Sequence, residues 1–127
     1  MKKKILSLDD SQDTTRLVAF YLEEEGFAVT RAHDPREVAA LLAKEPFDLL
    51  ICDYMMPEMR GIELIEQLRK DPCCASLPIL MLTGKSLSLP DRERCLSAKV
   101  VIHAKPFTGR ALFNAVCKLL EQSPTAP

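Results

Sequence analysis

Leu49-Leu50-Ile51-Cys52 and Pro78-Ile79-Leu80-Met81-Leu82 are apolar at every position, and each run stops abruptly on a polar residue, Asp53 in the first case and Thr83-Gly84 in the second. A strand with one face in water alternates polar and apolar residues. A run without alternation is covered on both faces, as in a central strand of a parallel sheet flanked by helices. Asp53 then stands at the carboxyl end of a buried strand, where open α/β sheets place their chemistry.

The remaining chain supplies the covering elements. Lys3 to Leu8 is a short apolar strand ending on Asp9-Asp10, and Ser11 or Asp13 can cap a helix over 13 to 25. Its apolar stripe is Leu17, Val18, Phe20, Tyr21 and Leu22, and Gly26 suits a left-handed C-cap. Phe27 to Ala32 reads as a second strand. Asp34-Pro35 gives an N-cap with proline at the first helical position, ahead of the stripe Val38, Ala39, Leu41 and Leu42, and Pro46 ends that helix. After Asp53, Pro57 and Gly61 punctuate the turn, with Gly61 free to take φ > 0 before a helix over 62 to 70 carrying Ile62, Leu64, Ile65 and Leu68. Asp71-Pro72-Cys73-Cys74 is a loop. Ser88-Leu89-Pro90-Asp91 starts a fourth helix whose stripe, Cys95 and Leu96, is the thinnest of the five. Val100 to Ala104 is the fifth strand, ending on Lys105-Pro106, and Thr108 caps a last helix with Leu112, Val116, Leu119 and Leu120 inside.

Five repeats of strand then helix, with connections too long for hairpins, predict a doubly wound α/β fold: a five-stranded parallel sheet with helices on both faces and right-handed crossovers. The length of 127 residues suits one domain over 1–122, with 123–127 as a tail or the start of a linker. Seventeen basic against eighteen acidic residues, with no basic block beyond Lys2-Lys3-Lys4, argue against direct nucleic acid binding and against an anionic membrane surface. The five cysteines have neither metal-ligand nor disulfide-framework spacing, which points to a reducing, cytoplasmic setting. Cys52 and Cys117 read as small core residues.

Asp9-Asp10, Asp53, Thr83 and Lys105 all fall at carboxyl ends of expected strands. With strand order 2-1-3-4-5, assumed at this point, those ends converge on one crevice. Two carboxylates ~5 Å apart repel by about 3 kcal/mol at an effective dielectric near 20, so such a cluster calls for a cation. Every ligand is an oxygen, which favours a hard ion, and Mg²⁺ over Ca²⁺ where few carboxylates leave room for water and phosphate. An ammonium and a hydroxyl beside a metal match the oxygens of a phosphoryl group, and the adjacent carboxylate can be its acceptor.

These residues resemble the receiver domain of two-component response regulators. The resemblance runs from about Lys3 to Leu120 and is carried by Leu8-Asp9-Asp10, Asp53-Tyr54-Met55-Met56-Pro57-Glu58-Met59-Arg60-Gly61, Thr83-Gly84 and Lys105-Pro106-Phe107. It implies a flavodoxin-like three-layer sandwich with five helices and the strand order 2-1-3-4-5. Asp53 would accept a phosphoryl group from a phosphohistidine on a sensor histidine kinase or phosphotransfer protein. Mg²⁺ would be held by Asp10, Asp53 and the main-chain carbonyl of Met55, with Asp9 acting through a metal-bound water. Thr83 would bond the phosphoryl group, Gly84 would leave space beside it, and Lys105 would pair with one of its oxygens. Lys105-Pro106 resembles the family's cis peptide. The output would be a shift of the fourth helix, fifth strand and fifth helix, a face that could also form a homodimer or meet a downstream protein. The implied role is signalling, not metabolic catalysis.

The chain departs from the family pattern at three places. Ile102 stands where relatives carry an aromatic residue, so no ring can rotate there. Lys99 stands at a usual glycine, which predicts a different turn out of the fourth helix. Lys85 and Met55 occupy positions that, in the family this chain resembles, tune the lifetime of the acyl phosphate. Three rival readings follow. One is a degenerate receiver acting as a phosphorylation-independent interaction module. Another is an aspartate-nucleophile phosphatase of the haloacid-dehalogenase type, which needs an acid where Met55 stands. The third is a flavodoxin-like cofactor binder, which needs a phosphate loop in place of Asp9-Asp10-Ser11-Gln12.

Overall fold

The computed structural model describes residues 2–122, so the expected tail 123–127 lies outside the described residues. The elements are β1 (Lys4–Leu8), α1 (Gln12–Glu24), β2 (Ala28–Ala32), α2 (Pro35–Lys44), β3 (Leu49–Asp53), α3 (Gly61–Arg69), β4 (Ile79–Thr83), α4 (Leu89–Ser97), β5 (Val100–Ala104) and α5 (Gly109–Gln122). A single 3₁₀ turn, Pro72–Cys74, occupies the segment expected to be a loop; Asp71 caps it and Pro72 opens it. All strand pairs are parallel and the order is β2-β1-β3-β4-β5.

The unbroken apolar runs are buried on both faces. Leu50 and Cys52 join Leu6, Leu8, Ile79 and Met81 on the face covered by α2, α3 and α4. Leu49 and Ile51 join Ile5, Leu80 and Leu82 on the face covered by α1 and α5, where Val18, Leu22, Leu112 and Val116 meet them. Each fully buried Leu or Ile contributes about 1.5–3 kcal/mol, so the central strands hold the two layers together.

The caps follow local chemistry. Ser11 Oγ accepts from the Thr14 amide, Ser88 Oγ from the Asp91 amide and Thr108 Oγ1 from the Ala111 amide. Asp34 and Glu37 form a reciprocal capping box with Pro35 in the first turn. Gly26 has φ +95, as its C-cap role requires.

Four expectations are corrected. Leu17 and Phe20 are exposed, because the buried line of α1 is Thr15, Val18, Ala19 and Leu22, and both residues are rotated off it. Leu96 is exposed, one position round the helix from the buried Asp91 and Cys95. Gly61 does not take positive φ; among the described glycines only Gly26 does. Its missing side chain serves a close approach instead, since a Cβ there would lie 2.3 Å from the Asp53 carbonyl oxygen. The turn out of α4 keeps the left-handed form: Lys99 itself has φ +58, in the region that favours glycine.

Cys52, Cys74 and Cys95 are buried free thiols, and Cys117 packs half-buried against the α1/α5 side of the core. No described helix is long and apolar enough to cross a membrane.

Candidate functional site

Parallel register brings the strand ends level. Leu8 pairs with Cys52, Asp53 with Leu82 and Thr83 with Ala104, so the residues leaving β1, β3, β4 and β5 share one rim of the sheet. Asp9 and Asp10 leave β1 there, Asp53 closes β3, and Lys105 follows β5. Lys105 Nζ donates to Asp9 Oδ2 and to Asp53 Oδ1, at 2.9 Å each. Carboxylate oxygens of Asp9, Asp10 and Asp53 all lie within 4.8 Å of one another. Asp9 and Asp53 are buried, whereas Asp10 is exposed at the mouth.

Two short-range devices hold this arrangement. The Ser11 amide donates to Asp9 Oδ1 at 2.9 Å, fixing that carboxylate as α1 begins. The Gly61 amide donates to the Tyr54 carbonyl at 2.7 Å, which folds the start of α3 back onto the end of β3. Only glycine permits this, because the residue 61 backbone presses on the Asp53 carbonyl. The Lys105-Pro106 peptide is cis, and the Lys105 amide donates to the Thr83 carbonyl at 2.8 Å.

The electrostatics follow from burial and like charge. Burial pushes the Asp53 carboxyl above its ordinary value; Lys105 opposes the shift and the Asp9 and Asp10 charges add to it. Burial by itself would lower the Lys105 ammonium, but its bonds to Asp9 and Asp53 outweigh that and raise it. Desolvation, reinforced by Asp53 and Asp9, drives the Cys52 thiol far up, so the sulfur beside the cluster stays protonated.

Asp9, Asp10, Asp53 and Lys105 are therefore one pocket. Thr83 is at the same rim, but its hydroxyl is turned into its own loop, donating to the Lys85 carbonyl at 2.8 Å and accepting from the Lys85 amide at 3.1 Å. Met55 lies in the exposed loop after β3. A Cβ at Gly84 would meet only the Lys105 Cβ, at an ordinary 3.9 Å. Behind Thr83 an open cleft of about 390 Å³ reaches Ile102, which is half-buried, with Lys85, Arg92 and Lys105 in its walls.

A second polar cluster adjoins the pocket. Asp91, buried in the first turn of α4, accepts from the Tyr54 hydroxyl, from Arg60 Nη1 at 2.5 Å and from Arg94 Nη1 at 3.5 Å. Arg94 also holds Glu66 of α3 through two bonds, at 2.5 and 2.9 Å. Nothing in the residue pattern marks these as a set. Asp91 reads as an ordinary first-turn acid, and its partners lie 37 and 31 residues away.

The donors are all oxygens, so the cluster suits a hard divalent cation, and Lys105 neutralises it only in part. A pattern of buried carboxylate, ammonium and nearby hydroxyl is competent for phosphoryl chemistry. The response regulator receiver domain family matches residues 5–117. Among curated relatives, the response regulator receiver protein CpdR of Brucella abortus is 38% identical over 121 residues, covering 93% of this chain and 97% of its own. The regulatory protein VanRc of Enterococcus gallinarum is 37% identical over 89 residues, 70% of this chain; the match spans only 37% of that relative's length. Among solved structures, the chemotaxis protein CheY4 of Vibrio cholerae superposes with a TM-score of 0.87 at 30% identity, covering 94% of this chain and 99% of its own.

Proposed function

Because this chain belongs to the response regulator receiver domain family of two-component systems, we propose that Asp53 is its phosphoacceptor and that the donor is a phosphohistidine on a sensor histidine kinase or phosphotransfer protein. The observation that carries this reading is Lys105 Nζ bridging Asp9 and Asp53 within a cluster of three acids.

Asp53 Oδ1 accepts from Lys105, which leaves Oδ2 to attack phosphorus. The new P–O bond forms as the P–N bond to the donor imidazole breaks, and the leaving imidazole nitrogen takes up a proton. Lys105 then pairs with a phosphoryl oxygen. Thr83 exchanges its bonds to Lys85 for one to the phosphoryl group. Asp10, Asp53 and the Met55 carbonyl would hold Mg²⁺, with Asp9 in support, and the ion would supply charge neutralisation for the phosphoryl oxygens. The added charge of about −1.5 to −2 enters a site that already disfavours ionised Asp53, so the surrounding contacts must rearrange. The face of α4, β5 and α5, with Leu89, Leu96 and Val101 exposed on it, is the surface we assign to a downstream protein or a second copy.

Incubation with Mg²⁺ and a small acyl-phosphate donor should label the native chain and leave Asp53→Asn unlabelled. Equal labelling of the two rejects Asp53 as acceptor. A degenerate receiver would show neither labelling nor stabilisation by Mg²⁺.

A further inference from the structure

The helix α4 is thinly anchored by apolar packing: Cys95 and Asp91 are its buried residues. A buried carboxylate is an unusual anchor, and it is paired and hydrogen-bonded on both oxygens. Hydrogen bonds to a charged group are stronger than neutral ones, and Asp91 receives them from three side chains. Its two long-range donors come from opposite ends of the β3–α3 loop. Tyr54 directly follows Asp53, and Arg60 precedes Gly61, whose backbone presses on the Asp53 carbonyl. Residues 84–88 lead directly from Thr83 into the start of α4. The Thr83 hydroxyl donates its one proton to the Lys85 carbonyl, so it must leave Lys85 before it can donate to a phosphoryl group on Asp53, and the loop that enters α4 changes its bonding when it does.

Resting on the phosphoacceptor reading of Asp53, we propose that Asp91 is a positioning residue: with Tyr54 and Arg60 it forms a catch that holds α4 in its unphosphorylated place and opposes the phosphorylated arrangement. The link between the site and α4 runs through Tyr54, the residue next to the acceptor. Coupling is reciprocal, so whatever the catch adds to the resting arrangement is subtracted from affinity for a phosphoryl group.

The test compares the native chain with Tyr54→Phe, which removes one hydroxyl and keeps the ring in its buried place, and with Asp91→Asn, which keeps an acceptor for Tyr54 but loses the charge. Binding of beryllium fluoride, a phosphoryl mimic, is titrated in Mg²⁺, and hydrogen exchange of α4 amides is followed without it. Tyr54→Phe should bind the mimic about 5-fold or more tightly, within the usual range of coupling between sites. Its α4 amides should exchange faster before the mimic is added, and Asp91→Asn should shift both readouts in the same direction. Mere damage to the fold weakens binding, so a gain is not what a structural role produces. Native or weaker affinity in Tyr54→Phe overturns the catch. If the native chain itself fails to bind the mimic, the premise about Asp53 falls, and the catch falls with it.

Discussion

Replacing Asp53 with asparagine should make the metal-free protein more stable, although it removes an ion pair. At an effective dielectric near 20, two charges 4.8 Å apart repel by about 3.5 kcal/mol, and that separation is an upper limit for Asp9 and Asp53. The Lys105 attraction at 2.9 Å is about 6 kcal/mol by the same rule. Those two contributions alone favour the native acid. Against it stand the exposed Asp10, whose repulsion water screens to about 1 kcal/mol, and the desolvation of a carboxylate only 7% exposed, which costs several kcal/mol. Asparagine also keeps a neutral hydrogen bond to Lys105. The balance is a gain of about 1 to 2 kcal/mol, or roughly 3 to 8 °C in Tm for a domain of this size.

The pH dependence carries the sign. The Asp53 carboxyl is raised above its ordinary 3.8 in the folded chain, chiefly by burial, so the folded state holds this proton more firmly than the unfolded one. That contribution to stability is complete below 3.8 and is lost as pH rises through the folded value. The variant has no such loss. Its advantage over the native chain should be absent in acid and develop toward pH 7, measured by urea denaturation with a chelator present. Adding Mg²⁺ should raise the native chain by mass action, leave the variant nearly unmoved, and narrow or reverse the order. A variant less stable than the native chain at pH 7 in chelator, or an advantage that shrinks as pH rises, would refute this account of the pocket.

Two further outcomes test the local geometry. Gly61→Ala should lower stability by about 2–3 kcal/mol in urea titration, because its Cβ meets backbone that cannot yield, and it should displace the end of β3 enough to slow the acyl-phosphate labelling proposed for Asp53. Lys99→Gly should stabilise the fold by about 0.5–1 kcal/mol, since glycine relieves the left-handed backbone cost that lysine carries at φ +58, less the entropy glycine adds to the unfolded chain; a loss of stability would mean that the lysine side chain makes up for its backbone.

The strands, and the placement of the candidate site residues at their ends, were readable because each obeys a local rule. Leu49–Cys52 and Ile79–Leu82 had no polar face to show, and a strand so composed has one kind of environment open to it. Ser11, Asp34 and Ser88 cap as their side chains dictate. Spacing was a weaker guide to which side of a helix lies inside. Leu17 and Phe20 in α1, and Leu96 in α4, fit an apolar stripe on paper, yet one step round a helix turns a side chain by about 100° and exposes it.

What the amino-acid order determined by itself was the alternation of buried strands with helices, and therefore that Asp9, Asp10, Asp53, Thr83 and Lys105 must each sit at a strand's carboxyl end. Their meeting was not in that information, because strand order depends on which faces bury against which helices, and the family resemblance had to supply it. Tertiary structure alone decided that Lys105 spans two acids 96 and 52 residues away, that Gly61 is needed for closeness and not for its φ, and that Asp91 answers to Tyr54 and Arg60. Each of these is a contact between groups far apart along the chain. Its energy depends on distance and burial, and those exist only once the sheet has closed over its core.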